Sequence, residues 1–135
     1  MKHFTVSAVA PRLIAALLTP DRVERETIYR EAHLDVALID HIDSRIAYED
    51  FQRFTAVAAG RSGDPHLGLN AIASFFPSVL DVVSFTMLAS ATLVQAVETL
   101  AKYGPIIDDS VEITLRRDAS VMWLVAKGAR GVCSR

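Results

Sequence analysis

After Asp108-Asp109 the hydrophobic period of this 135-residue chain changes from helical spacing to alternation. Val111, Ile113 and Leu115 alternate with Glu112, Thr114 and Arg116, the period of two that a half-buried strand requires, because successive side chains leave a strand on opposite faces. Arg117-Asp118-Ala119-Ser120 supplies turn residues, and Val121-Met122-Trp123-Leu124-Val125-Ala126 returns as a second strand, apolar on both faces. Everything before residue 105 reads mainly as helix. The pattern therefore predicts an α+β fold: a multi-helix array of at least five helices, then an antiparallel β-hairpin or small sheet over 111–127. Only Val82-Val83-Ser84-Phe85 is β-prone within the array, and as a strand it would move the class to α/β.

The helices are punctuated by caps. Leu13, Ile14, Leu17 and Leu18 recur at helical spacing. Thr19-Pro20 then offers an N-cap and a proline at the first helical position, where its missing N–H is no loss, which predicts a helix over Pro20–Ala32. Arg22, Glu26 and Arg30 lie four apart on it, a solvated stripe of opposite charges. Asp35 can cap a one-turn piece, Val36–Ile39, before the polar loop His41-Ile42-Asp43-Ser44. A longer helix, Tyr48–Ala59, carries Glu49 and Asp50 in its first turn, turns Phe51, Phe54, Thr55 and Ala58 inward, and ends in Gly60–Asp64. Asp64-Pro65 opens another to Ser74; Phe75-Phe76-Pro77 breaks it, and an apolar segment, Val79–Ala89, follows. Thr92-Leu93-Val94-Gln95 is a capping box for a helix that turns Leu93, Val97 and Leu100 inward, and Gly104-Pro105 stops it.

Apolar residues make up 51% of the chain and charged ones 22%, enough for one domain with a real core. Between residues 65 and 110 the only charged side chains are Asp81, Glu98, Lys102, Asp108 and Asp109, which points to the middle of the chain as the core. A net charge of −2 argues against a DNA-binding surface, since such affinity comes largely from Lys and Arg on phosphates. The single cysteine, Cys133, has no intrachain partner, so a reducing cytoplasm is the natural compartment. Ala8-Val9-Ala10 resembles a signal-peptide cleavage site, but the apolar stretch before it is too short and Arg12 interrupts the one after it. The uncharged run Val82–Val97 falls short of the roughly 20 residues of a membrane span and contains Ser84, Thr86, Ser90, Thr92 and Gln95.

The order of these pieces resembles the ligand-binding, arabinose-binding-like domain that precedes the helix-turn-helix region in many AraC/XylS-type transcriptional regulators. The residues that carry the resemblance are Leu34-Asp35-Val36-Ala37-Leu38-Ile39-Asp40, Ser44-Arg45-Ile46 and Gly63-Asp64-Pro65-His66-Leu67-Gly68-Leu69. They continue through Ser90-Ala91-Thr92-Leu93-Val94-Gln95-Ala96-Val97 with Tyr103, and Asp108-Asp109-Ser110-Val111 with the hairpin. Phe76-Pro77-Ser78-Val79-Leu80-Asp81 stands where the family usually has a Gly-rich step, and Gly104-Pro105 where it tends to have a bulky residue. The resemblance implies an effector-sensing and dimerisation domain over 1–127 with a tail over 128–135, the chain being a fragment from which the DNA-binding helix-turn-helix domain is absent. It implies a cytoplasmic regulatory domain that is not an enzyme, needs no cofactor, binds no membrane and meets DNA only through the absent domain.

His33, His41 and His66, with Asp40 and Asp43, are the only conceivable metal set, and their spacings match no ligand motif, so no metal is expected. Ser84, Ser90 and Ser110 lie in no nucleophile context, and Asp81, Glu98, Asp108 and Asp109 show no acid/base pairing, so no catalytic residue is named. Ligand contacts are sought where polar groups interrupt apolar walls: Ser84, Thr86, Tyr103, Arg116 and Trp123. The bland alternatives are that Tyr103 and Trp123 belong to the core and Arg116 to a solvated strand face. Two functions fit: a small-molecule sensor whose bound state biases a separate DNA-binding domain, or a pairing module that holds two such domains at half-site spacing and senses nothing. Either way the open hairpin edge predicts a homodimer with Met122, Trp123 and Leu124 between subunits.

Overall fold

The computed structural model describes residues 3–41, 43–74 and 82–128, and among them seven α-helices precede a two-stranded hairpin, an α+β arrangement. The Phe75-Phe76-Pro77 break, the Gly-poor step through Asp81, Ile42 and the tail from 129 with Cys133 lie outside the described residues. The chain divides into two compact units, Met1–Val79 and Leu80–Arg135.

In the first unit β1 (Thr5–Ser7) pairs antiparallel with β2 (Arg45–Ala47), placing Val6 opposite Ile46, both buried. Arg45 ties the two together by donating from Nε to the Thr5 hydroxyl at 2.7 Å and from Nη2 to the Thr5 carbonyl at 2.9 Å. Three-residue strands show no readable period, and neither was expected. Around them stand α1 (Val9–Leu18), α2 (Arg22–Glu31), α3 (Val36–Asp40), α4 (Tyr48–Ser62) and α5 (Leu67–Ser74). The core is Phe54, with no exposed surface, together with Val6, Ala8, Ala15, Ile28, Tyr29, Ala32, Leu34, Ile39, Ile46 and Ala58. Tyr29 and Phe51 meet Phe54 with ring centroids 6.0 and 6.5 Å away, and burial pushes the Tyr29 phenol pKa up. Among the described residues this cluster, and not the charge-poor middle to which the sequence points, is the main core, although Ala71 and Val83 of the middle are also buried. The early helices confine their charges to outer faces, as the Arg22–Glu26 and Arg30–Glu26 pairs at 3.3 and 2.8 Å show, and pack alanines inward.

The caps explain each boundary. Thr19 does not cap α2: its backbone N–H closes α1 on the Ala15 carbonyl, so Pro20 stays outside and Asp21 caps instead, accepting from the Val23 N–H at 2.8 Å. Asp35 caps α3 as expected, accepting from Ala37 N–H at 2.9 Å. Helix α2 ends in a Schellman motif: His33 N–H donates to the Arg30 carbonyl and Leu34 N–H to the Tyr29 carbonyl. His33 sits at φ +57°, a left-handed conformation that glycine would adopt more cheaply. Helix α4 runs through Gly60, where the sequence predicted its end, and stops at Gly63, whose φ of +62° is the left-handed closing conformation.

In the second unit Val82–Leu88 is helix α6, which removes the α/β alternative, and α7 (Leu93–Tyr103) leads through the 3₁₀ turn Gly104–Ile106 into β3 (Val111–Asp118) and β4 (Val121–Gly128). Thr92 caps α7, its hydroxyl accepting from the Gln95 N–H at 3.2 Å, while the Gln95 side chain reaches one residue further back than in a capping box and accepts from the Ala91 N–H at 3.1 Å. Leu93 does not face inward as predicted; it is 80% exposed, and no residue of α7 is buried. As the first residue of the helix it only edges the groove between α7 and the hairpin, so helical spacing alone overstated its burial. Register pairs Leu115 with Leu124 and Arg116 with Trp123 across a two-residue turn at Ala119-Ser120.

Candidate functional site

Directly opposed residues of an antiparallel pair share a face, so the hairpin sorts its side chains into two sets. One set carries Leu115, Met122 and Leu124, which with Leu93, Val94 and Val97 of α7 line an apolar groove of about 190 Å³. The other carries Arg116 opposite Trp123, with Thr114 opposite Val125 and Asp118 opposite Val121. Arg116, Asp118, Trp123 and Val125 of this face, together with Arg117 from between Arg116 and Asp118, line a concavity of about 470 Å³. Two of the five predicted contact residues, Arg116 and Trp123, are thus brought together, and Trp123 is 59% exposed rather than core. A guanidinium beside an exposed indole can hold a flat or anionic group by charge and stacking.

The other three stand elsewhere. Ser84 is half-buried on α6, and Thr86 is exposed there with its hydroxyl donated to the Val82 carbonyl at 2.7 Å. Tyr103, at the end of α7, is exposed, with Lys102 Nζ 4.9 Å from its ring centroid. Ser110 is buried at the entry to β3, its N–H and hydroxyl both donating to Asp108 Oδ1 at 2.8 and 2.6 Å. Among the described residues no group of three or more His, Cys, Asp or Glu could hold a metal ion. None of the helices described is long and apolar enough to cross a membrane.

A further cavity, unannounced by any motif, opens in the first unit. It measures about 520 Å³ and is lined by Leu17 and Leu18 of α1, Glu24 and Ile28 of α2, Arg61 and Ser62 of α4, and Asp64, Leu67, Asn70 and Ala71. Glu24 accepts from the Thr19 hydroxyl at 2.6 Å. Asp64 accepts from the Asn70 amide at 2.6 Å and the His66 N–H at 2.7 Å, and these bonds, the Asn70 one first, hold its carboxyl below the usual range. Arg61 donates from Nε and Nη2 to the two oxygens of Glu31 at 2.8 and 2.5 Å, a bidentate pair that lowers the Glu31 pKa and raises its own.

The family model described as the arabinose-binding domain of AraC transcription regulator, N-term, matches residues 23–133. An ornithine utilization regulator of Pseudomonas aeruginosa is 28% identical over 121 residues, which cover 86% of this chain and 35% of that protein. The chain therefore spans about a third of the length of that curated relative.

Proposed function

Since this chain belongs to the family of N-terminal arabinose-binding domains of AraC transcription regulators, we propose that it senses a small-molecule effector and pairs subunits on behalf of a separate DNA-binding domain. The family is a class of regulatory domain, not of enzyme. The observation that carries the reading is the family match over 23–133. The effector contacts proposed are Arg116 and Trp123, supported by their cross-strand juxtaposition, with Tyr103, Ser84 and Thr86 as further contacts. The working compartment proposed is the cytoplasm. The sensing and pairing unit proposed is residues 1–127.

Pairing is supported by exposed apolar side chains in the second unit: Val82, Phe85, Leu88, Leu93, Trp123 and Leu124. Apolar surface of this kind marks an interaction site more often than an inert one. A homodimer is the assembly proposed, because strands β3 and β4 form a two-stranded sheet whose edges a second copy can extend. Pairing without sensing is the second reading, and the same exposed side chains favour it.

For the effector, the family's name makes arabinose one compound to test, and the relative's name makes ornithine another. A thermal-shift panel of sugars and amino acids, run beside sedimentation velocity, decides between the readings. A saturable stabilisation lost in Arg116→Ala or Trp123→Ala supports sensing. A dimer with no stabilisation by any compound leaves pairing alone, and a monomer that binds nothing refutes both.

A further inference from the structure

We propose that the cavity between α1, α2, α4 and α5 binds a small aliphatic compound carrying a primary ammonium group. This goes beyond the sensing reading, whose proposed contacts all lie between residues 84 and 123. At about 520 Å³ the cavity falls within the range of small-molecule sites. Its floor is apolar, with Ile28 and Ala71 buried beside Leu17 and Leu18.

The charge balance selects the ligand. Among the described lining residues Arg61 is the one cation; its bidentate bond goes to Glu31, which is not among them, and Glu24 acts on it only through space. Arg25, next to Glu24 in sequence, gives its Nη1 to the Thr19 and Pro20 carbonyls. Glu24 and Asp64 remain, held by a hydroxyl, an amide and a backbone N–H; among the described residues neither is ion-paired with a cation. Neutral donors orient a carboxylate without cancelling its charge. Each carboxylate offers about four acceptor positions, so both retain free lone pairs, and an ammonium brings three donors. Thr19 is itself buried at 6% exposure, so the hydroxyl that positions Glu24 is fixed before any ligand arrives. An alkyl chain trailing from the ammonium would lie against Leu17, Leu18 and Ile28, while an acid of the same length would meet two like charges.

The test uses the whole chain at pH 7.5, with 1,5-diaminopentane and hexanoate titrated separately by calorimetry, and with amide chemical shifts followed in parallel. The diamine should bind saturably, shift the amides of residues Leu17, Leu18, Ile28 and Asn70, and bind about tenfold more weakly to the near-isosteric variants Glu24→Gln and Asp64→Asn, the effect of losing one charged hydrogen bond. Arg116→Ala should leave its affinity unchanged, which separates this site from the hairpin contacts. Absence of saturable diamine binding, equal binding of hexanoate, or diamine-induced shifts confined to other residues would overturn the proposal. The shift map stands even if either variant fails to fold.

Discussion

Thr92→Ala should damage this protein more than Leu93→Ala, although leucine is the larger and more apolar loss. Leu93 is 80% exposed, so only about a fifth of its side chain leaves water on folding. Full burial of a leucine contributes roughly 1.5–3 kcal/mol, which scales to about 0.3–0.6 kcal/mol here, less a few tenths because alanine is the better helix former. Thr92 accepts the Gln95 N–H at 3.2 Å, and losing such a cap costs about 1 kcal/mol. Phe54→Ala sets the upper rung at about 3–5 kcal/mol, since Phe54 has no exposed surface and packs against two rings. Urea titrations read the three. Trp123 is the single tryptophan and lies in the second unit, so its fluorescence follows that unit, while far-UV circular dichroism follows the helices of both. If Leu93→Ala proves costlier than Thr92→Ala in dilute protein, the outward placement of Leu93 is wrong.

Four further outcomes follow from the same structure. Leu124→Lys, at an exposed position opposite Leu115, should shift the chain toward monomer in sedimentation at high micromolar concentration; a wild type that is monomeric there, or an unaltered dimer in the variant, defeats hairpin pairing. His33→Gly should raise the urea midpoint, by about 1 kcal/mol of relieved left-handed strain, and a fall would show that the imidazole contributes more than its backbone costs. Asp64 and Glu31 have pKa values lowered by folding, so their contribution is complete above their ordinary values of 3.8 and 4.5 and is lost as pH falls below these; Asp64→Asn with Glu31→Gln should flatten that acid limb of the stability profile, and an unchanged limb would refute the assignment. With a net charge of −2, the chain alone should show no tight, sequence-selective DNA binding in a gel shift at physiological salt.

What was legible in the sequence was whatever a local rule decides. Asp35 and Thr92 cap because a side-chain oxygen three or fewer residues from an orphan N–H needs no tertiary help. Val111 to Leu115 alternate because a strand has two faces wherever it is placed. Thr19 was misread because two helix ends compete for it, and only the packed structure shows that it closes α1 while Asp21 opens α2. Strands β1 and β2 escaped because each is three residues long, and their partnership spans forty residues of chain. Arg116 and Trp123 were named separately, and their pairing became visible only through the register.

The misplacement of the core bears on function. Lack of charge between residues 65 and 110 says only that side chains there need not face water; it does not say what covers them. In the first unit the charged helices bury alanines and Phe54 within their own fold, and the large apolar side chains left exposed there, Leu17, Val23, Leu38 and Leu69, are scattered one to a helix over α1, α2, α3 and α5. In the second, Val82, Phe85, Leu88, Leu93 and Leu124 stay exposed although no charge accompanies most of them. A surface left apolar at a cost in solubility is retained where something binds it. Charge depletion and exposure together therefore favour a pairing surface in the second unit. The cavity of the first unit was hidden for the opposite reason: Asp64 reads in the sequence only as a helix cap and no motif singles out Glu24 or Arg61, while the folding of four helices brings all three into one lining.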